Sequence, residues 1–494
     1  MQLPFGEWLP DQPDHLNPGA TVATNVYHAQ TSYKPVKGLV AYSGASNVTQ
    51  NAKGAGSFRD NTNTVFTFVG TKDNIYKLTS GTFTSVKGGL TISGGDTDFF
   101  TFTQFGQYII ASNGVNPPMY YLMGTSTNFA TLQSLVTSSG SGTVPAKFRV
   151  SGVIRDFLVT GNIENAKNRV AWSGLNDIAT WEAGVKSSDT QDLPGSGGQI
   201  VAITSGEVGY VFRQNQIIRM DFVGGNVIFR FSVISPNRGA VYGQTVCQDN
   251  RQIFFYADDG FFQISGDQVL PIGAEKVNRF FDSDLNKAYT DRISAAVDPF
   301  NTLALWLYPS KNNPNTTGIC DRLLIYNYVT QKWSVANVQA SQIFKQFMVV
   351  NTVELMDIIS ENLEDINISL DSAYWTSGQL YLGAIDENFK AAIFSGKALE
   401  AELETKETEL FPGLRANVTG VRPLVDASSN VVIKTRDKLS DSVTSSSSST
   451  INTTGIAPVR QSGRYFRANV KIPAESIWTH AQGIDLTASQ GGSR

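Results

Sequence analysis

Between residues 65 and 396 short apolar runs alternate with polar, glycine-bearing turns at a nearly regular interval. The stretch RLLIYNYVTQKWSV from Arg322 shows the unit: an alternating run, a tight polar turn, and a second run opening on Trp333. Its relatives are NIYKLTSGTFTSV from Asn74, PMYYLMGTSTNFATL from Pro118 and NRVAWSGLNDIATWEAG from Asn168. The series continues with QIIRMDFVGGNVIFRFSVI from Gln216, GFFQISGDQVLPIG from Gly260 and QLYLGAIDENFKAAIF from Gln379. Each reads as strand, turn and strand, the signature of a β-hairpin. A further apolar strand precedes each one, namely VFTFVG, QYIIAS, FLVTG, GYVFR, IFFYAD, LALWLYP and SAYWTS from Val65, Gln107, Phe157, Gly209, Ile253, Leu303 and Ser372.

These units begin roughly 43 to 52 residues apart, with a longer last gap, and a meander of about four strands at that period predicts the blades of a β-propeller. One blade cannot bury both of its faces, whereas neighbours packed around a ring can, and ring closure protects the edges. The expected fold is therefore all-β, with about seven propeller-like repeats. Two stacked β-sandwiches would also give strands at short spacing.

The flanks break the pattern. Residues 1–56 carry prolines at Pro10, Pro13 and Pro18, which block regular ladders and predict an extended arm followed by first strands. Such an arm can grip a neighbouring subunit or fold back along its own domain. Residues 57–396 form the repeat domain, with an insertion or distorted blade around 339–371 that ends in an acidic loop. Residues 397–494 alternate strands with polar loops, including a serine run from Ser445 to Ser449, and predict a C-terminal β-sandwich.

Composition narrows the function. Charged residues are only 17% of the chain and the formal net charge is −4, which argues against a broad basic footprint for reading nucleic acid. A channel through which DNA merely passes remains compatible. No apolar run approaches the ~20 residues needed to span a bilayer, and the N-terminus lacks a basic region leading into an apolar core. Cys247 and Cys320 lie in strand-like stretches and read as buried thiols.

Chemical motifs are few. His15, His28 and His480 have no zinc spacing. DSDLN from Asp282 opens like a calcium loop but lacks the glycine at the sixth position and the acid at the twelfth. PGSGG from Pro194 has no following Gly-Lys-Ser/Thr and reads as a plain loop, and no G-x-S-x-G elbow occurs. Asp258-Asp259-Gly260 reads as a hairpin turn rather than a catalytic acid pair. Trp172, Trp181, Trp306, Trp333 and Trp375 fall within the repeats and read as blade packing rather than a sugar platform. No catalytic residue, cofactor or metal is expected, and the chain reads as a non-enzyme.

Both ends resemble one family. The opening LPDQPDHLNPGATVATNVYHAQTSYKPVKGLVAYSGA is similar to the start of tail nozzle proteins of short-tailed bacteriophages, also called tail-tube or packaged-DNA-stabilisation proteins. The segments VTGVRPLVDASSNVVIKTRDKLSD and RQSGRYFRANVKIPAESIWTHAQGIDL resemble their end. The resemblance implies a homohexameric ring in the virion tail, assembled in the host cytoplasm. It would dock below the adaptor protein, extend the DNA channel and retain the packaged genome. It would also support tail fibres or spikes during genome delivery, with non-specific passage of double-stranded DNA and no membrane insertion. A channel wall should be poor in Lys and Arg so that phosphates gain little from it. The acidic strand with Glu400, Glu402, Glu404, Glu407 and Glu409 is the candidate lining. The other readings are a propeller-type glycan-binding protein and a glycosidase acting on host surface polysaccharide.

Overall fold

The computed structural model describes residues 1–15, 17–42, 46–225, 227–249, 252–315, 318–347 and 380–492. Five separate four-stranded antiparallel sheets follow one another along the chain. Their first strands are Gly54–Arg59, Thr101–Phe105, Phe148–Ile154, Ile200–Ile203 and Cys247–Asp249, and we number these sheets blades 1 to 5. Blade 6 comprises Ser294–Asp298, Leu303–Tyr308, Cys320–Asn327 and the first half of the long strand Lys332–Phe347. The second half of that strand pairs with Leu380–Asp386 and starts blade 7, which continues through Ala391–Ile393. Residues Gln339 to Phe347, expected to lie in an insertion, are thus regular strand, and the rest of the 339–371 stretch lies outside the described residues. The strand at Ser372, with Trp375, lies outside them as well.

The last strand of blade 7 comes from the other end of the chain. Val40–Ala41 pairs with Ala391–Ile393, and the backbone then runs on into blade 1. The first strand of blade 1 packs against Lys332–Phe347, which closes seven blades into a ring. Gly54 opens blade 1 with φ +154°, and a Cβ there would meet, on the side of blade 2, the Phe100 carbonyl oxygen at 2.3 Å. Seven blades agree with the repeats counted in the sequence.

Strand alternation explains how the ring holds. Side chains at successive positions leave opposite faces, so each blade feeds two cores. In Gln252–Ala257, Phe254 enters the core shared with blade 6, while Phe255 enters the core shared with blade 4. The same division repeats around the ring, one apolar cluster to each gap, and the cluster of Tyr42, Ile393, Val69 and Tyr76 fills the gap between blades 7 and 1. Middle strands face cores on both sides, so Phe157–Ile163 and Leu303–Tyr308 are buried at every position.

The remaining strands form a β-sandwich built from both chain ends. One sheet contains Ala416–Val425, Ala457–Gly463 and Ala481–Gln490, together with Gln2–Pro4, Val26–Ala29 and Ser32–Pro35. The other contains Ala401–Glu404, Asn430–Arg436 and Tyr465–Ile472. Val22–Thr24 lies between Ala401–Glu404 and blade 6, pairing Thr24 with Val335, so this sheet runs without a break into the propeller. The N-terminal arm therefore folds back on its own chain. The apolar core is continuous too: Phe261, Trp306, Tyr326 and Trp333 belong to the same cluster as Leu403, Val431 and Val470.

Trp333 sits at the centre of that joint. It is fully buried, its ring lies 4.6 Å from Tyr326 and 5.6 Å from Trp306, and its indole N–H donates to the Ile272 carbonyl at 2.9 Å. Trp333→Ala is expected to cost about 3–5 kcal/mol, and Trp333→Phe about 1–3 kcal/mol from the unpaired carbonyl. Urea denaturation would show both as lower midpoints, in that order.

His28 lies at the same joint. Its Nε2 is 3.0 Å from Lys332 Nζ, its carbonyl accepts from Asn327 Nδ2, and its ring meets Tyr33 edge-on at 5.0 Å. Burial, with the Lys332 charge added, pushes the imidazole down to about 4 from the usual 6.5. The unfolded chain therefore binds more protons between those values, so the contribution is complete above pH ~6.5 and lost as pH falls toward 4. We expect at most about 3 kcal/mol of acid-dependent stability from this group. His28→Gln should flatten the urea midpoint between about pH 7.5 and about pH 5.5 (about one unit either side of the free imidazole value), and an unchanged slope would contradict this role.

Candidate functional site

The acidic strand expected to line a channel does a different job at two of its positions. In Ala401–Glu404 the apolar face carries Ala401 and Leu403, both fully buried. The opposite face is covered by neighbouring strands. Glu404 is buried between Thr21, Lys434, Asn469 and Arg467, and Glu407 pairs with Arg436 at 2.5 Å and with Arg467 at 3.2 Å. Both carboxylates are withdrawn from solvent and neutralised, so neither can present charge to a channel. Arg467 also reaches Asp14 at 2.7 Å, which ties the N-terminal arm to the sandwich. Glu402 is partly exposed, pairing with Lys471 at 3.6 Å and accepting from Asn469 at 2.8 Å. Glu400 is exposed, and Glu409 accepts from the Gly413 amide. The five acids thus split between a buried clasp and a surface, and form no single lining.

Other sequence features resolve as structure. The glycine-rich loop at Pro194 wraps the guanidinium of Arg213, whose nitrogens donate to the carbonyls of Pro194, Gly195 and Gly198 and to Gln216 Oε1. Carbonyls rather than amides converge there, the reverse of a phosphate cradle. Asp258 and Asp259 form the two-residue turn between Ala257 and Gly260, and Asp259 pairs with Arg238. Trp172, Trp181, Trp306 and Trp333 are all buried, each indole N–H donating to a backbone carbonyl. Cys247 and Cys320 are buried free thiols, and burial pushes the Cys247 thiol up to about 12.

Polar groups converge instead on an open basin of about 1160 Å³ along one face of blades 4 to 7. The turn after the first strand of blade 4 supplies Glu207, and the following strand supplies Tyr210. Asp249 ends the first strand of blade 5, Tyr328 follows the third strand of blade 6, and Lys345 comes from the first strand of blade 7. Their positions are held by hydrogen bonds. The Tyr210 hydroxyl donates to the Gly266 carbonyl at 2.7 Å, the Tyr328 hydroxyl to Asp249 Oδ2 at 2.8 Å, and Lys345 Nζ to the Gln248 carbonyl. Arg219 is shared between Asp221 and Asp267. Burial lowers the Lys345 ammonium from its ordinary range and raises the Tyr328 hydroxyl, which the adjacent Asp249 raises further. Among the described residues no group of three or more His, Cys, Asp or Glu side chains is placed to hold a metal ion. The basin went unread in the sequence because its members are scattered from Glu207 to Lys345 with no fixed spacing. Superposing the repeats is the one signal that would bring them to a common face.

No family model matches the chain, and no curated protein matches it. Solved structures with a similar arrangement of strands include a mitotic checkpoint complex chain, at 9% identity over 74% of this chain and 93% of that one, with a TM-score of 0.37. The WD40 domain of Neurospora crassa Pan2 is similar at 9% identity over 74% of this chain and 96% of its own, with a TM-score of 0.38. An extracellular domain from B. thetaiotaomicron is similar at 10% identity over 90% of this chain but 48% of its own, with a TM-score of 0.42. The propeller assignment stands on the strand pairings themselves: seven blades, one apolar core per gap, and a last blade closed by Val40–Ala41.

Proposed function

We propose that this chain is the nozzle subunit of a short bacteriophage tail, a structural virion protein. Six copies would close a ring that extends the DNA channel below the adaptor, retains the packaged genome and carries tail fibres or spikes. The observation that supports this reading most is the pairing of the two segments with nozzle resemblance. They lie at opposite ends of the chain, yet Val22–Thr24, Val26–Ala29 and Ser32–Pro35 are strands of the same sandwich as Ala416–Val425 and Ala481–Gln490. Segments that resemble one family and also build one domain are better explained by common ancestry than by two chance likenesses.

The physical form suits the role. A sandwich continuous with blade 6 makes a stiff two-domain body, as a ring under the pressure of a packaged genome requires. Heterologous contacts between such bodies close into a ring with a central channel. The mildly acidic chain, with a formal net charge of −4, gives a sliding polyanion little to hold. With Glu404 and Glu407 spent inside the subunit, the channel wall in this account draws on other exposed groups, Glu400 among them.

Peptide counting on gradient-purified virions, normalised to the major capsid protein, tests the proposal. About six copies per particle, retained in detached tails, are expected for a single cyclic ring. Absence from virions, or one or two copies only, would exclude it.

A further inference from the structure

We infer that the basin on blades 4 to 7 is a binding site for a neutral oligosaccharide. The inference stands apart from the nozzle reading and rests on the lining alone. The basin's size comes first: at about 1160 Å³ it exceeds the ~300–1,000 Å³ usual for a single small ligand, so it has room for several linked rings.

Charge selects against ionic ligands. Three carboxylates, those of Glu207, Asp249 and Asp267, face two cations, Arg219 and Lys345. The cations are already engaged, Arg219 by Asp221 and Asp267 and Lys345 by the Gln248 carbonyl. A phosphate or a nucleic acid backbone would meet a net negative wall with its cations occupied. A free cation would meet guanidinium and ammonium groups. What the wall offers is a set of fixed dipoles and acceptors of both engaged and open kinds.

Open acceptors stand on the rim. Exposed Glu207 supplies one, and Asp249 retains an oxygen not used by Tyr328.

The aromatic component completes the match. Tyr210 and Tyr328 each have their hydroxyl fixed by a hydrogen bond, and the Tyr328 ring lies 5.5 Å from Phe254. Rings fixed in this way lose little freedom on binding. A sugar ring pairs an apolar C–H face with a rim of hydroxyls that both donate and accept. Restrained aromatic rings beside carboxylate acceptors supply the complement to both parts. The buried tryptophans have no share in this surface.

Saturation-transfer NMR on the full chain, with maltotetraose, N-acetylchitotetraose and lacto-N-tetraose as neutral probes and tripolyphosphate as the anionic probe, tests the site. At least one neutral probe should bind with a Kd of about 1 mM or tighter, above any binding of tripolyphosphate. Tyr210→Ala should weaken it about tenfold or more. Glu207→Gln, on an exposed turn, leaves folding untouched and should weaken binding measurably if Tyr210→Ala proves unstable. No binding by any of the three neutral probes, preference for tripolyphosphate, or binding unchanged in the folded variants would each overturn the inference. Virion copy number would be unaffected by any of these results, so the two proposals fail separately.

Discussion

A ring of blades has two ends, and everything else in this molecule depends on how they are joined. Each inter-blade core needs a sheet on both sides, so an open ring would leave two apolar faces in water. The chain closes the ring with a two-residue strand, Val40–Ala41, laid on Ala391–Ile393 and backed by Tyr42, Val69 and Tyr76. The strand is short, but it carries the chain directly into blade 1, and the Tyr42 amide donates to the Ala391 carbonyl at 3.0 Å. Closure therefore couples the start of the chain to a blade assembled more than 300 residues later, a costly loop that only burial along the whole seam can offset.

The same N-terminal segment is committed a second time. Before reaching blade 7 it contributes strands to the sandwich, where Val22–Thr24 bridges Ala401–Glu404 to blade 6. Arg467, Glu404 and Glu407 fasten this region, with Asp14 and Thr21 on the arm side. Breaking one partner of such a buried set is far more damaging than replacing the whole of it. Propeller and sandwich are thus two architectures but one cooperative body, with Trp306 and Trp333 in their shared core. A rigid frame of this kind also holds Tyr210, Tyr328 and Lys345 on one face of the ring, though they come from three different blades.

Local pattern carried much of this information and long-range pairing carried the rest. The hairpins from Asn74, Pro118, Gln216 and Gly260 were legible because alternation and turn residues are local properties, and the turn Asp258-Asp259 fits its reading. The hairpin read from Asn168 does not form: Arg169–Trp172 pairs with Asp189–Asp192, and Thr180–Trp181 pairs with Ser141–Gly142. Gln339 to Phe347 misled because a strand that changes blades midway, with both faces covered, loses clean alternation. The acids from Glu400 to Glu409 misled for a related reason. Alternation told which side of the strand bears Leu403, but not that Lys434 and Arg467 would cover the other. Asp14 and Arg467 are 453 residues apart, and no spacing in the chain announces their contact. The basin was illegible in the same way, since its members share a face only after the ring has closed.

Native-state hydrogen exchange read by mass spectrometry tests the central claim, that ring closure and sandwich assembly are one event, most directly. Amides at the seam, those of Tyr42 and Asn25, bond to Ala391 and Val335, and their strands should exchange at the same slow rate as the fully buried Leu303–Tyr308. Exchange through one global opening makes these rates converge. Seam amides that exchange orders of magnitude faster, while Leu303–Tyr308 stays protected, would show the ring standing without its N-terminal closure and would contradict the account.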